Sequence, residues 1–285
     1  MNFLRTFIGP IIVGLFLFIN IFIWSAVLAN ERDGLLTVAF LNVGQGDAIF
    51  IEAPNGNQML VDGGPNTAVV RELSKIMQFS DRSIDVVVAT HPDKDHISGL
   101  IEVFKRYEVL MYLDPGVVHG TGEYQTLLQM VENEGISVTY ARRGMNIALG
   151  DGVYVEILFP DRDVSNVETN LGSIVMKVVY GETEFMLTGD SPVSIEKYLT
   201  SIDGKGLESD VLKAGHHGSK TSNSERFIGF VNPQIVIISA GKDNRYGHPH
   251  KEVLDILNKF DIEIVNTADV GTIVFTSDGE SVQRK

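Results

Sequence analysis

The chain has 285 residues, of which 44% are hydrophobic and 21% charged, and it carries a net charge of −14 at pH 7 with no cysteine. That composition excludes intrinsic disorder, disulfide scaffolds and thiolate metal sites, and it disfavours sequence-independent wrapping of nucleic acid over a broad surface. Any metal here must be held by nitrogen and oxygen.

The N-terminal segment, residues 1–30, stands apart. The run FIGPIIVGLFLFINIFIWSAVLA has no charge between Arg5 and Glu31, long enough to cross a bilayer at about 20 residues per span. It reads as a membrane anchor or a signal peptide, with Val27-Leu28-Ala29 as a candidate cleavage site. Arg5 precedes the run while Glu31, Arg32 and Asp33 follow it, so the remaining chain, 31–285, is expected outside the cytoplasmic membrane.

From Leu35 onward short apolar strands alternate with helical patterns. LTVAFLNV, AIFIEA and QMLVDGG read as strands, TAVVRELSKIM as a helix, and IDVVVAT as a buried strand. GLIEVFKRY, VLMYL and EYQTLLQMVENEG continue as helix, strand and helix. The second half repeats the grammar: strands VYVEILFP, SIVMKVVY and EFMLTGD, helix VSIEKYLTS, strand DVLKAG, helix SERFIGFV, strand QIVIIS, helix KEVLDILNKF, then strands IEIVNT and GTIVFTS. Two face-to-face sheets with helices outside account for that order. No linker rich in Pro, Gly or Ser divides it, so one continuous domain is expected.

Four polar clusters fall at strand ends, where loops can aim side chains into one cleft. In HPDKDH, residues two apart point the same way in an extended segment, so His91, Asp93 and Asp95 can converge, with His96 at the entrance of the next helix. FMLTGD ends on Asp190. GHHG carries His216 and His217, and GHPH carries His248 and His250 ahead of a helix. Singly, each has a plain explanation in helix capping, turn formation or surface histidines. Of the seven histidines only His119 lies outside these clusters, a concentration that plain explanations do not produce.

The segments FLNVGQGDAIFIEAPNG, LVDGGP, ATHPDKDHISGL, LTGD, DVLKAGHHGSKTS and YGHPHKEVLDIL resemble, from about Leu35 to the C-terminus, the metallo-β-lactamase superfamily, and within it the ComEC-like extracytoplasmic domain of competence proteins. The resemblance implies an αββα sandwich of the α+β type and a centre of two divalent ions, zinc or manganese. It implies His91 and Asp93 on one ion, Asp95 and His96 on the other, Asp190 between them and His248 as a further ligand. Asp95, His216 and His217 are the implied catalytic residues; either histidine would protonate a leaving group or bind phosphate. Asp47 and Asp62 would support ligands without binding metal.

Two positions depart from the superfamily pattern. Asp93 stands where a histidine is usual, and only Asn170 is available where another ligand histidine is usual. Oxygen for nitrogen makes the site harder and more tolerant of manganese. The function so implied is hydrolysis of a phosphodiester in single-stranded DNA, with DNA as the partner and no protein partner indicated. Lys213, Lys220, Arg226, Lys242 and Arg245, near the histidine loops, offer a positive patch or an ordinary solvated surface. A hydrolase of lactones, thioesters or β-lactams, and a non-catalytic DNA-binding surface protein, are the rivals. A chain with one apolar segment cannot itself form a transport channel.

Overall fold

The computed structural model describes residues 2–29 and 34–285, and the side chains of all of these except 2–8, 23 and 25–29. Its contacts divide the chain into two units, Met1–Asp33 and Gly34–Lys285. Within the first, helix α1 covers Asn2–Ala29 and includes Pro10. Its described side chains, 9–22 and Trp24, are all exposed. No helix among the described residues is long and apolar enough to cross a membrane. Glu31, Arg32 and Asp33 lie outside the described residues, as do the side chains of Arg5 and Val27–Ala29.

The second unit begins with β1 (Leu36–Phe40), β2 (Ile49–Glu52), β3 (Gln58–Val61), α2 (Ala68–Ile76), β4 (Ser83–Val88), α3 (Lys94–Phe104), β5 (Glu108–Asp114), α4 (Gly122–Asn133) and β6 (Val138–Tyr140). It continues through β7 (Asn146–Gly150), β8 (Val153–Phe159), β9 (Val175–Tyr180), β10 (Thr183–Leu187), α5 (Val193–Ile202), β11 (Val211–Lys213) and α6 (Glu225–Val231). Then follow β12 (Ile235–Ile238), α7 (Lys251–Lys259), β13 (Glu263–Asn266), α8 (Thr267–Val270), β14 (Ile273–Ser277) and β15 (Val282–Arg284).

Among the described residues the strands form two sheets, ordered β15-β14-β1-β2-β3-β4-β5-β6 and β13-β12-β11-β10-β9-β8-β7. Both are mixed: β3 to β6 run parallel, as do β10 to β13, while the remaining pairs are antiparallel. Side-chain alternation along the strands separates the core into layers. On β1, Val38 and Phe40 face a central core with Val155, Ile157, Phe185 and Phe275 of both sheets. Ala39, with Leu41 just beyond β1, faces a second core with Val69, Leu73, Ile97, Leu100 and Leu127 from α2, α3 and α4. Leu212, Val236 and Ile238 pack a third core against Leu199, Phe227, Val253 and Leu257 from α5, α6 and α7. Helices, sheet, sheet, helices is the expected αββα sandwich.

Every strand and helix expected from Leu35 onward is present. One local expectation is overturned. The segment 91–96 is not extended throughout: Asp93 is the last extended residue (φ −77°, ψ 147°) and α3 starts at Lys94. Asp95 and His96 therefore stand in the first helical turn, with their backbones on the helix rather than in a strand-like row. The short strands β6, β7 and β15 are additions the sequence did not suggest.

Candidate metal centre

The polar clusters meet at one end of the sandwich, off the carboxyl ends of β3, β4, β10 and β11. Such strand ends are where parallel sheets place ligand sites. Asp62 follows β3, His91 follows β4, Asp190 follows β10 and His217 follows β11, while Asp47 comes from the β1–β2 loop. All five are buried.

Each of the two histidines from the β4–α3 segment is held by its Nδ1. Asp62 Oδ2 lies 2.8 Å from His96 Nδ1 and also accepts the Thr90 hydroxyl at 2.7 Å. Because that hydroxyl donates to Asp62, it is left to accept from His91 Nδ1, at 3.0 Å. Both rings consequently present Nε2 to the interior, His96 at 3.4 Å from Asp190 Oδ1 and His91 at 3.8 Å from Asp190 Oδ2. Burial and the neighbouring His96 hold His91 down to about 4, so its ring is neutral and able to donate a lone pair. Asp93 Oδ2 approaches the same His91 nitrogen at 3.7 Å from the open side.

His216 and His217 both adopt left-handed backbone, φ 49° and 55°. Two such residues in succession are costly for side chains with a Cβ, roughly 1–2 kcal/mol each. Asn223 holds the turn: its side chain accepts from Gly215 N at 2.8 Å and donates to Gly215 O at 2.8 Å and Ser219 O at 3.1 Å. The result separates the two rings. His217 is buried, with Nδ1 3.3 Å from Asp47 and Nε2 3.4 Å from Asp95 and 3.6 Å from Asp190. Burial opposes its charge, but Asp190 and Asp47 outweigh that and raise it to about 9. His216 keeps 27% of its side chain open, with Nε2 3.6 Å from Asp190 and Nδ1 3.0 Å from the Thr221 hydroxyl.

His248 lies beyond them, its ring centre 5.5 Å from that of His216 and 6.2 Å from that of His217. Burial and His216 lower it to about 4. Asp190 works against its own burial: His217 and His96 keep its carboxyl well below the usual range. Asn170 sits in the turn Thr169–Gly172, its side chain 3.5 Å from the Thr169 hydroxyl.

The donors suit a divalent cation. His91 Nε2, His96 Nε2, both His217 nitrogens, Asp190 Oδ1 and Asp47 Oδ1 are buried without a hydrogen-bond partner. Leaving one such atom unsatisfied costs about 1–3 kcal/mol, and a cation among them removes several of these penalties together. Ligand atoms of Asp47, His96, Asp190 and His217 all lie within 4.8 Å of one another. Asp47 is expected in a supporting place and His217 as a proton donor or phosphate ligand, and both stand inside this group. The signal for Asp47 was the glycine-flanked VGQGDA loop, since Gly46 lets the loop touch the start of α3: a Cβ there would lie 2.1 Å from Asp95 O.

Of the five basic residues expected near the histidines, Lys213 is fully buried and belongs to no surface patch. Its Nζ pairs with Asp47 Oδ2 at 2.8 Å and donates to Ala214 O at 2.9 Å.

A family model for the metallo-beta-lactamase superfamily matches residues 41–242. The chain belongs to the metallo-β-lactamase superfamily. Among curated proteins it is 31% identical over 255 residues to ComE operon protein 3 of Bacillus subtilis, covering 84% of this chain and 32% of that one. It is 30% identical to Recombination protein 2 of Haemophilus influenzae, with 82% and 28% covered. It is 29% identical to Competence protein ComA of Neisseria gonorrhoeae, with 86% and 32% covered. The chain thus spans about a third of the length of these relatives. Among solved structures, Igni18, a metallo hydrolase of Ignicoccus hospitalis, aligns with a TM-score of 0.55 at 13% identity, covering 84% of this chain and 98% of that one. CmlA, a diiron β-hydroxylase of Streptomyces venezuelae, aligns at 0.53 and 14% identity, covering 88% and 54%. These two likenesses bear on the fold alone.

Proposed function

We propose that this chain is a metal-dependent phosphodiesterase that cleaves single-stranded DNA outside the cytoplasmic membrane, held there by its N-terminal segment. The observation that carries the hydrolase reading is the set of orphaned, buried Nε2 and carboxylate atoms converging on Asp190. The DNA reading is supported by similarity to proteins named for competence and recombination. The outside location is supported by the charge order around the apolar run.

His91, Asp93, Asp95, His96, Asp190, His217 and His248 are the residues that would hold two divalent ions, zinc or manganese, with Asp47 beside His217. Bound there, the ions supply Lewis acidity toward a phosphate and lower the pKa of water. The chain's own residues do the rest. Asp62 and Thr90 fix both His91 and His96 with Nε2 inward, so neither ring must turn before use. Asp190 presents both carboxylate oxygens to the centre. Asp47 orients His217 from the opposite side.

His216 is the group placed to hand a proton to a leaving oxygen. It is the one histidine of the GHHG turn open to solvent, and its Nδ1 is steadied by Thr221 while Nε2 faces the centre. General acids contribute by such positioning.

The test is a cleavage assay of the full chain on single-stranded DNA with added manganese, beside Asp190→Ala and His216→Ala. The reading requires wild-type cleavage that EDTA stops, loss in Asp190→Ala and a fall of about 100-fold or more in His216→Ala. Hydrolysis of a lactone or thioester with DNA left intact would overturn it in favour of a small-molecule hydrolase.

A further inference from the structure

A cleft of about 440 Å3 adjoins the centre and shares Asp95 with it. Its volume lies in the range of about 300–1,000 Å3 common to ligand sites. Gln45, Asn66, Lys94, Arg245 and Tyr246 line it along with Asp95.

Three features of this cleft lack a purpose within the metal centre. Tyr246 is 49% exposed on the rim of the cleft. Its ring is stacked on His248 at 5.6 Å and 22°, and the Arg245 guanidinium lies 4.9 Å from its centroid and 2.8 Å from its hydroxyl. Arg245 forms no ion pair among the described residues, although the chain is strongly acidic. Gln45 Nε2 is buried in the wall without a hydrogen-bond partner, while its Oε1 accepts from Gly241 N at 3.2 Å.

The loop that carries the aromatic is built to hold still. Asn244 Oδ1 accepts from Tyr246 N at 3.2 Å and His248 N at 2.9 Å, and its Nδ2 donates to Gly241 O and His248 O. One side chain thus ties the presentation of Tyr246 to that of His248. A planar ring, a guanidinium without an ion pair among the described residues and an unused amide donor match the face of a base, a phosphate and the edge of a base. Bases stack on aromatic and guanidinium planes, phosphate pairs with arginine, and a base-edge carbonyl accepts from an amide.

We propose that this cleft is a nucleotide subsite, in which an unpaired base lies against the Tyr246–Arg245 pair while a phosphate of the same strand faces Arg245, one nucleotide removed from the metal centre. The proposal rests on the phosphodiesterase reading and deepens it. It assigns the preference for single strands to Tyr246, because a base held in a duplex cannot reach the ring. Lys94 plays a lesser part, since its ammonium is already paired with Glu123 at 2.7 Å.

The test uses the full chain, EDTA and two hexathymidylates, one with 2-aminopurine at the third position and one abasic there. Binding of both is followed by anisotropy of a terminal dye, and stacking by quenching of 2-aminopurine. We expect the base-bearing strand to bind about tenfold tighter than the abasic one, with quenching. In Tyr246→Ala that difference disappears; in Tyr246→Phe it persists. Arg245→Ala weakens both strands and lowers the salt slope by about 1. Equal binding of the two strands to wild type, no binding of either, or an unchanged difference in Tyr246→Ala overturns the subsite. Cleavage by the same preparations, measured with manganese in place of EDTA, reads out the phosphodiesterase proposal separately. A protein that discriminates the base yet cleaves nothing keeps the subsite and loses the activity.

Discussion

Lys213 Nζ lies 2.8 Å from Asp47 Oδ2, and the lysine side chain is fully buried with its partner all but so. The pair joins β11 of one sheet to the β1–β2 loop of the other. It also neutralises Asp47, which then meets His217 Nδ1 with its second oxygen. Removing one partner of a buried ion pair costs about 3–5 kcal/mol, because the other is left charged and alone. Lys213→Met should therefore destabilise by about that amount in urea denaturation. Lys213→Met with Asp47→Asn should recover a good part of it. Equal losses in the single and double variants would refute the pairing.

Helix α3 approaches the loop after β3 so closely that only hydrogen fits between them. A Cβ on Gly99 would sit 1.8 Å from Gly63 O and 2.7 Å from Asn66 O. Backbone bonds cross the same contact, Gly63 N to His96 O and Gly99 N to Gly64 O. Gly99→Ala should push the helix away at a cost of about 1–3 kcal/mol, and carry His96 out of register with Asp190. Gly120→Ala, where nothing lies within 4 Å of the added carbon, should stay within about 0.5 kcal/mol. Chemical denaturation and metal content of both variants check this.

Glu72 ties α2 to the start of β14. Burial alone would raise its pKa, but Lys75 at 2.8 Å, the Thr272 hydroxyl at 2.9 Å and Arg71 at 3.1 Å together bring it below its ordinary 4.5. A carboxyl depressed in the folded state stabilises above its unfolded pKa, and that contribution is lost as pH falls through the folded value. Wild type and Glu72→Gln should thus differ by up to about 1 kcal/mol at neutral pH, limited by the exposed Lys75 and Arg71. They should converge as pH falls below 4.5 and through the folded value. Melting temperatures of both proteins across pH 3–7 would show it.

Chain purified without chelator should contain divalent metal, and stripping it should lower the melting temperature. At a free metal concentration 100 times its Kd the bound ion adds about 2.7 kcal/mol, or roughly 5–10 °C for a domain of this size. Asp190→Ala, which removes the carboxylate that His91, His96 and His217 all face, should melt at one temperature with or without EDTA. Elemental analysis with calorimetry decides it.

The sandwich was legible because both faces of most strands are buried, which writes long apolar runs such as VVVA and IVII into the chain. The edge strands β6, β7 and β15 left no such record: each is short and carries polar or glycine residues among its few positions. The start of α3 was misplaced because HPDKDH reads as extended as far as Asp95, whereas Asp93 is the residue from which the helix departs. Both the meeting of the histidine loops and the placing of Asp190 among them followed the expected motifs. Lys213 was misread as a surface cation, since a lysine declares its burial only through a partner far away in sequence. The paired left-handed histidines were equally hidden. Their separation depends on Asn223, whose side chain gives no sign in sequence that it braces a turn.

Asp47, Asp62, His91 and His96 hang from one sheet, whereas Asp190, His217 and His248 hang from the other. The candidate ligands are therefore shared between the two sheets. An ion held by ligands from both would clasp the sheets like a rivet through two plates. Heat or denaturant should part that seam sooner in the stripped protein than in the loaded one.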